Sequence, residues 1–230
     1  MNKGIQKIFS QIPKRYELIN HILTLGLDIV CRKRAAKIGA SGGGTNWLDV
    51  CTGTGEMAIY LSRLKQNGTS IMTADFSIPM VRQARQKPEA RDISFVISDA
   101  AHLPFEKNTV DLIHISFATR NINTSREKLI EHFREFYRVL KPGGRLINLE
   151  TSQPKSKPIR TLMHLYIKLT VKQIGSMISG SEAGYAYLSK TIPRFYPAEE
   201  LAEILKESGF KEVTYDRMFA GITAIHKAIK

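Results

Sequence analysis

The amino-acid sequence predicts an α/β fold with a mostly parallel central sheet. Between residues 46 and 149, short apolar runs of strand character alternate with segments of helical periodicity. Two of these runs, Ile93–Ile97 and Val110–Ile115, are almost continuously apolar, which is typical of strands buried on both faces. Repeated strand–helix units of this kind connect parallel strands through right-handed crossovers. The middle of the chain is therefore predicted to be a Rossmann-like core.

The predicted elements of this core follow one another closely. Strands are predicted at residues 46–51, 70–74, 93–97, 110–115 and 145–149, and helices at 56–65, 78–86 and 125–140. Ser125 is a favourable N-cap for the last of these helices. The sequence Lys141-Pro142-Gly143-Gly144 should end that helix before the fifth strand begins.

The segments outside the core are predicted to be helical caps and a terminal hairpin. A Pro/Lys/Ser-rich linker opens the second cap, which continues as a long helical segment. After one more helix, residues 211–218 and 221–227 should pair as antiparallel strands. The chain is thus expected to form one domain with four parts: an N-terminal helical cap at 1–40, the core at 45–150, a second helical cap at 151–195, and a C-terminal helix and hairpin at 196–230.

Positive charge is concentrated in the two caps. The chain holds 34 Lys and Arg against 21 Asp and Glu, a formal net charge of +13. Residues 1–40 carry eight basic and two acidic residues, and residues 151–180 carry five basic residues and no acidic ones. The core is therefore close to neutral. This distribution argues against a nucleic-acid-binding surface spread over the whole molecule.

Cysteine and histidine usage indicates neither cross-links nor a metal site. Cys31 and Cys51 are too few for a disulfide framework, which favours a reducing, cytoplasmic location. The N-terminus has no apolar segment of the signal-peptide type, and no run approaches the about 20 apolar residues of a membrane-spanning helix. None of the six histidines has a partner at a convincing metal-ligand spacing, so we expect no metal.

The most informative motif is the glycine-bearing turn after the first predicted strand. Asp49 lies in that strand, and Gly53-Thr54-Gly55 follows in the turn that leads to a helix. Such a turn lets backbone N–H groups approach a ligand without obstruction by side chains. The spacing fits neither the dinucleotide motif G-x-G-x-x-G nor a Walker P-loop. It resembles motif I of class I S-adenosylmethionine-dependent methyltransferases, so these four residues are candidates to bind that cofactor.

Later landmarks occur where the same class has them. The resemblance implies that Asp75, at the end of the second strand, accepts hydrogen bonds from the ribose hydroxyls; the alternative is a helix-capping role shared with Ser77. It implies that Asp99 and Ala100 lie beside the adenine. Ser116 follows the fourth strand, at the sheet edge where open α/β folds bind ligands.

A closer resemblance covers almost the whole chain. The segments 116–122, 149–152, 186–192, 196–201 and 221–227 look like signatures of the ubiquinone/menaquinone biosynthesis C-methyltransferases, and so does the opening segment 16–20. This family resemblance implies a class I methyltransferase fold with S-adenosylmethionine as cofactor. It further implies a lipophilic acceptor, a prenylated aromatic electron-carrier ring most like demethylmenaquinol.

The resemblance also suggests which residues act on the acceptor. Arg120 is the candidate to position a water molecule or stabilise a phenolate, and its alternative role is a structural ion pair. Tyr16 and Glu56 occupy positions of polar contacts on the acceptor side, although Glu56 suits the first turn of a helix equally well. Cys31 and Ala118 depart from the family pattern near the expected acceptor pocket. These departures leave room for another polyprenylated carrier, such as a methanophenazine-type precursor.

Two other classes of function and two environments remain open at this point. The charge of +13 prompts an RNA or protein methyltransferase, but no Asn/Asp-Pro-Pro-Tyr-like motif follows the fourth strand, so we expect no nucleic-acid partner. A non-catalytic cofactor-binding module is the third class. The basic caps are expected either to touch the inner face of a membrane or to pack on the core with a solvated charged face. A homodimer is one open arrangement.

Overall fold

The computed structural model describes residues 13–179 and 182–230, with side chains described for residues 17–171, 173, 186 and 188–230. The helices of this part of the chain are α1 (Pro13–Leu23), α2 (Leu27–Ala40), α3 (Glu56–Ser62), α4 (Ile78–Arg85), α5 (Thr119–Ile122), α6 (Arg126–Val139), α7 (Lys157–Ser179), α8 (Glu182–Thr191) and α9 (Ala198–Glu207). The strands are β1 (Asn46–Val50), β2 (Ser70–Asp75), β3 (Ile93–Ile97), β4 (Val110–Ser116), β5 (Leu140–Thr151), β6 (Glu212–Met218) and β7 (Thr223–Ile229).

All seven strands form one sheet in the order β3-β2-β1-β4-β5-β7-β6. Strands β1 to β5 are parallel, and β7 runs antiparallel to both β5 and β6. The predicted α/β class, with a mostly parallel sheet and a C-terminal antiparallel hairpin, is confirmed. The strand order reverses between β1 and β4, and such a switch point is where open α/β sheets bind ligands.

The register of the central strands places their carboxyl ends side by side. Val50, the last residue of β1, pairs with Ala74 in β2 and with Ile115 in β4. The turn after β1 therefore lies between Asp75 and Ser116, which end the two neighbouring strands.

Both faces of the central strands are buried, as predicted for Val110–Ile115. The same prediction is wrong for Ile93–Ile97, because β3 is an edge strand of the sheet and Ile97 is 49% exposed. Alternate residues of β1 point to opposite sides, so that Leu48 joins a cluster containing Phe133 and Phe136 of α6, whereas Trp47 joins a cluster containing Ala35 and Ala36 of α2. All six residues are less than 2% exposed. Helices on both faces therefore hold the sheet in a closed, two-sided core.

Two details of the core differ from the sequence-based expectation. Residues 141–144 were expected to form a turn before a strand at 145–149, but β5 already begins at Leu140. Leu140 pairs with Val110, and residues 143–144 exchange backbone hydrogen bonds with Lys230, so the partners of this segment lie far away in the sequence. The short helix α5 was not predicted, because four residues carry no readable periodicity.

The two caps pack against each other beside the core. Ile19 and Leu23 of α1 form a buried cluster with Met163 and Ile167 of α7. The Tyr166 hydroxyl on α7 donates a hydrogen bond to the Leu23 carbonyl at 3.0 Å. Within the described ranges, no helix combines the length and the apolar character needed to cross a membrane.

Candidate active site

A cleft opens at the carboxyl edge of the sheet, at the switch point between β1 and β4. Its walls come from the ends of β1, β2 and β4, from the turns that follow them, and from α2, α3, α4 and α5. The lining residues are Arg32, Asp49, Cys51, Thr52, Gly53, Thr54, Glu56, Met57, Asp75, Phe76, Ser77, Met80, Ser116, Phe117, Ala118, Asn121 and Ile122.

The floor of the cleft is the glycine turn, which is tied to the end of β2. Gly53 has φ +56°, and its N–H donates a hydrogen bond to Oδ2 of Asp75 at 2.8 Å. The other carboxylate oxygen of Asp75 accepts the N–H of Ser77 at 2.8 Å. Gly55 has φ +82°, and a Cβ there would lie 3.1 Å from the Cβ of Ala84. The turn therefore needs glycine both for its backbone conformation and for the close approach of α4.

Two buried carboxyl groups give this floor its electrostatic character. Asp49 is 1% exposed and accepts a hydrogen bond from the Thr52 hydroxyl at 2.6 Å. Burial raises the pKa of Asp49 to about 7, the Thr52 hydrogen bond opposes this, and the charge of Asp75 adds to it. Burial also raises the pKa of Asp75, against the backbone N–H groups of Ser77 and Gly53. A cationic ligand would stabilise both groups in their ionised form.

Two non-glycine residues at the cleft have left-handed backbone conformations. Cys51 has φ +55° after β1, and Phe117 has φ +53° after β4. Backbone hydrogen bonds to Ala74 and Leu149, both 2.7 Å long, hold them there. Such strain persists only where the surrounding structure fixes it, and it clusters at ligand sites. Burial raises the pKa of the Cys51 thiol, so it is not poised as a nucleophile.

One end of the cleft carries a cluster of charged side chains from three helices. The Arg32 guanidinium is hydrogen-bonded to Asp28, lies 3.4 Å from the Glu56 carboxylate, and sits over the Phe117 ring at 5.0 Å. His21 lies between the two acids, 2.9 Å from Asp28 and 3.3 Å from Glu56. Burial raises the pKa of Glu56, while Arg32 and His21 oppose the rise.

The same cluster is the group of described residues whose spacing suits a metal ion. Donor atoms of His21, Asp28 and Glu56 all lie within 4.8 Å of one another. Arg32 already supplies a positive charge to both carboxylates, which disfavours a second cation between them. That no metal binds stays a prediction.

Arg120 lies beside the cleft in a buried ion pair. Its guanidinium donates hydrogen bonds to Glu150 at 3.1 Å and to the Thr151 hydroxyl at 3.2 Å. The other oxygen of Glu150 accepts the backbone N–H of Arg120 at 3.1 Å. Arg120 is 7% exposed and Glu150 1% exposed. The pair fixes the segment that carries Phe117 and Asn121 into the cleft.

The cleft brings together six of the residues predicted from the sequence. Asp49, Gly53, Thr54, Glu56, Asp75 and Ser116 line it. Gly55 lies behind them as the N-cap of α3. Asp99 and Ala100 follow β3 outside the lining, and the Asp99 carboxylate accepts the N–H of Ala101 at 3.0 Å. Tyr16 belongs to α1, and its side chain lies outside the described residues.

Sequence analysis assigned no role to four polar residues at or beside the cleft: Thr52, Arg32, Asp28 and His21. Thr52 directly precedes the glycine motif and could have been included with it. Asp28 and Arg32 are four residues apart, a spacing that predicts an ion pair on one helix face. No local signal connects either of them with Glu56, because that contact depends on how α2 docks on α3.

The lining residues fit S-adenosylmethionine, which joins a sulfonium cation to an adenosine and an amino acid. Buried carboxyl groups offer acceptors and negative charge, and the glycine turn exposes backbone to the ligand. Ser77 Oγ and Asn121 Oδ1 also line the cleft, and both are buried without a hydrogen-bond partner among the described residues. Buried polar atoms of this kind normally have hydrogen-bond partners, so we expect a ligand in the cleft to supply them.

Comparison with known proteins agrees with this geometry. The model of the ubiE/COQ5 methyltransferase family matches residues 1–230. The chain is 35% identical over 228 residues to a ubiquinone/menaquinone biosynthesis C-methyltransferase of Desulfotalea psychrophila, covering 99% of this chain and 90% of that protein. It is also 35% identical over 221 residues to a demethylmenaquinone methyltransferase of Thermus thermophilus, covering 95% and 98% of the two chains.

Solved structures share the fold at low sequence identity. An S-adenosylmethionine-dependent methyltransferase of Thermotoga maritima, described as a possible histamine N-methyltransferase, has a TM-score of 0.69 at 17% identity and covers 98% of this chain and 99% of its own. An S-adenosylmethionine-dependent methyltransferase of Aquifex aeolicus has a TM-score of 0.57 at 19% identity, covering 82% and 84%. These likenesses confirm the predicted class I methyltransferase fold.

We expect the affinity for S-adenosylmethionine to rise with pH up to about 7 and then level off. Asp49 is protonated below its raised pKa, and a cationic ligand favours the ionised form, so binding at lower pH must first release a proton. One pH unit below the pKa, the affinity should be about tenfold weaker than on the plateau. Isothermal titration calorimetry between pH 5.5 and 8.5 measures this.

Asp49→Asn should weaken binding on the plateau and remove most of the pH dependence. The matched control is Asp92→Asn, because Asp92 is an exposed acid outside the cleft. An Asp49→Asn protein that keeps the pH dependence of the wild type would contradict the assignment to this carboxyl group.

Arg120→Gln should lower the free energy of unfolding by about 3 kcal/mol or more, because it leaves the buried Glu150 carboxylate without its partner. Adding Glu150→Gln should recover part of the loss. Urea unfolding without ligand gives both values. Arg126→Gln is the control, since its partner Glu207 is exposed and such pairs contribute at most about 1 kcal/mol. Normal stability with lost turnover would instead indicate direct action on the acceptor.

Proposed function

Because the chain belongs to the ubiE/COQ5 methyltransferase family, we propose that it methylates a ring carbon of a prenylated aromatic electron carrier, most like demethylmenaquinol. The chain is an enzyme that uses S-adenosylmethionine as methyl donor. The observation that carries the choice of acceptor is the match to the Thermus thermophilus demethylmenaquinone methyltransferase over 98% of that protein's length.

The wall chemistry of the cleft supports an aromatic acceptor that bears hydroxyl groups. Phe117, Met57 and Ile122 supply apolar surface for a ring. Arg32 and Glu56 lie on the same lining and offer one donor and one acceptor to a ring hydroxyl.

The reaction requires an electron-rich ring carbon facing the methyl group of the cofactor. When bound, the cofactor would supply a methyl group from its sulfonium. The sulfur would keep both electrons of the broken sulfur–carbon bond. Removing a proton from a ring hydroxyl increases the nucleophilicity of the neighbouring ring carbon. Glu56, which lines the cleft and whose pKa is raised by burial, is the residue we assign to this step. Arg120 acts by holding Phe117 and Asn121 in place.

The test is methyl transfer from labelled S-adenosylmethionine by the purified full chain. We expect label on reduced demethylmenaquinol and none on the oxidised quinone, because only the hydroquinone supplies electrons to the new carbon–carbon bond. Bulk RNA serves as the comparison acceptor. Label on RNA, or on a methanophenazine-type carrier but not on demethylmenaquinol, would overturn the assigned acceptor.

We further propose that the enzyme works at the cytoplasmic face of a membrane, where a polyprenylated acceptor resides. Helices α1, α2 and α7 and the turn between α1 and α2 expose large apolar side chains. They are Leu18, Ile22, Leu25, Leu27, Val30, Ile159, Leu162, Leu165, Tyr166 and Leu169, and we call them the apolar cap surface. Leu25 and Leu162 are 79% and 67% exposed. Exposed apolar groups on these cap helices favour contact with a lipid surface.

The charge of the caps specifies the kind of lipid. Lys157 and Lys168 are exposed on α7, and Lys33 and Lys37 are exposed on α2. Residues 151–180 contain no acidic residue, so nothing on α7 offsets its cations. Each cation near an anionic surface is worth about 1 kcal/mol of attraction. The apolar cap surface and its basic rim therefore suit a bilayer that contains anionic lipids.

Co-sedimentation with vesicles containing anionic lipid should show binding that salt weakens. Lys157→Glu/Lys168→Glu should reduce the bound fraction at least about tenfold, since each reversal replaces an attraction by a repulsion. Leu162→Glu should reduce it as well. The control is Leu64→Glu, an exposed apolar residue away from the caps. No wild-type binding at low salt would refute the membrane proposal.

A further inference from the structure

Four charged side chains form a continuous path from the cleft to solvent: Glu56, Arg32, Asp28 and His21. Resting on the proposed function, we propose that His21 takes the acceptor's hydroxyl proton from Glu56 and passes it to water, while Asp28 holds the imidazole in place. Glu56 lines the cleft, where the acceptor would contact it, so we assign it as the catalytic base of this path. His21 and Asp28 act through Glu56 and are positioning residues.

The fold builds this path at the turn between α1 and α2. The N–H of Gly26 donates to the His21 carbonyl, and the N–H of Leu25 donates to the Ile22 carbonyl, the two bonds of a Schellman motif. Leu25 and Gly26 both have positive φ there. The Thr24 hydroxyl then donates to Asp28 at 2.6 Å. This connection therefore places the N-terminal end of α2 beside the C-terminal end of α1.

The distances and exposures run in the order that a relay needs. Nδ1 of His21 lies 2.9 Å from Oδ2 of Asp28, and Nε2 lies 3.3 Å from Oε1 of Glu56. The side chain of Glu56 is 15% exposed and that of His21 is 28% exposed, whereas that of Asp28 is 2% exposed. The proton can therefore leave through His21, but Asp28 is closed off from solvent.

Asp28 fixes the tautomer that makes His21 an acceptor. Burial alone would raise the pKa of Asp28. Hydrogen bonding from Thr24 and the charges of Arg32 and His21 outweigh burial and hold this pKa below its usual value. An ionised Asp28 accepts the Nδ1–H of neutral His21. This leaves the Nε2 lone pair facing Glu56. In other sites where a carboxylate, an imidazole and a reacting group lie in line, the carboxylate likewise fixes the tautomer and orientation of the imidazole.

The charges around the path keep Glu56 ready to act. Arg32 lies 3.4 Å from Oε2 of Glu56 and favours its ionised form before the acceptor binds. Burial works in the opposite direction and raises the pKa of Glu56 above its usual value. The remaining charged group among the described neighbours of His21 on α1 is Glu17, which is paired with Lys87. Glu17 is therefore not a competing proton acceptor.

The proposed steps balance in atoms and electrons. Glu56 takes the hydroxyl proton, the resulting phenolate forms a carbon–carbon bond to the methyl group, and the sulfur keeps the electron pair of the broken bond. The methylated ring carbon then loses its hydrogen as a proton, and the oxygen regains one, which restores the aromatic ring. One proton is released per turnover, and it leaves from Glu56 to His21 and then to water.

His21→Gln keeps hydrogen-bonding capacity but cannot carry a proton, so we expect kcat to fall roughly 10- to 100-fold with little change in either KM. His21→Ala should lose similar activity and regain it with added imidazole, since the site is partly exposed. His102→Gln is the matched control, an exposed histidine outside the path.

Affinity for S-adenosylmethionine and thermal unfolding are measured on each variant, so that misfolding is separated from loss of the relay. A His21→Gln protein within twofold of the wild type at every pH refutes the relay. A folded His21→Ala protein that imidazole does not rescue also refutes it. If the wild type methylates no quinol at all, the proposed function fails instead, and the two failures are distinguishable.

Discussion

The hydrogen bond between Gly53 and Asp75 is the contact on which the geometry of the cleft depends. It joins the turn after β1 to the end of β2, and it can form only because Val50 and Ala74 are in register. A carboxylate so deeply buried is costly unless it is hydrogen-bonded, and the N–H groups of Gly53 and Ser77 meet that need. The same register places Ser116 across the turn. Strand pairing thus fixes the floor of the cleft without any ligand.

The sequence correctly predicted the central strands and the glycine turn, because neighbouring residues determine their pattern. Asp75 and Ser116 each follow an apolar strand, so parallel pairing alone brings them to one edge. Arg120 and Glu150 are thirty residues apart, and their pairing depends on β4 lying beside β5. Local reasoning could only name a structural ion pair as one of two roles for Arg120. The observed pair holds the segment that carries Phe117 and Asn121, although Arg120 itself does not line the cleft.

The charged path of His21, Asp28, Arg32 and Glu56 lay beyond sequence reasoning for a related reason. Its members come from three helices, and their proximity depends on the docking of α1 and α2 on α3. Helix propensity and amphipathic pattern predicted the helices of the N-terminal cap but not the angle at which they pack on α3. The extended start of β5 was missed likewise, because its partners are Val110 and Lys230. Tertiary contacts decided each of these cases.

Charge is separated in this molecule according to the two ligands that must meet. Acidic groups, Asp49 and Asp75, lie at the buried floor of the cleft, where we propose that the cationic cofactor binds. Basic groups lie on the caps, whose exposed leucines suit an acceptor held in lipid. Between these regions Arg32 and Glu56 lie on the cleft lining and offset one another. Under the proposed function, the acidic groups attract the cationic cofactor and the basic groups attract anionic lipid, so that the two attractions act on separate parts of the molecule.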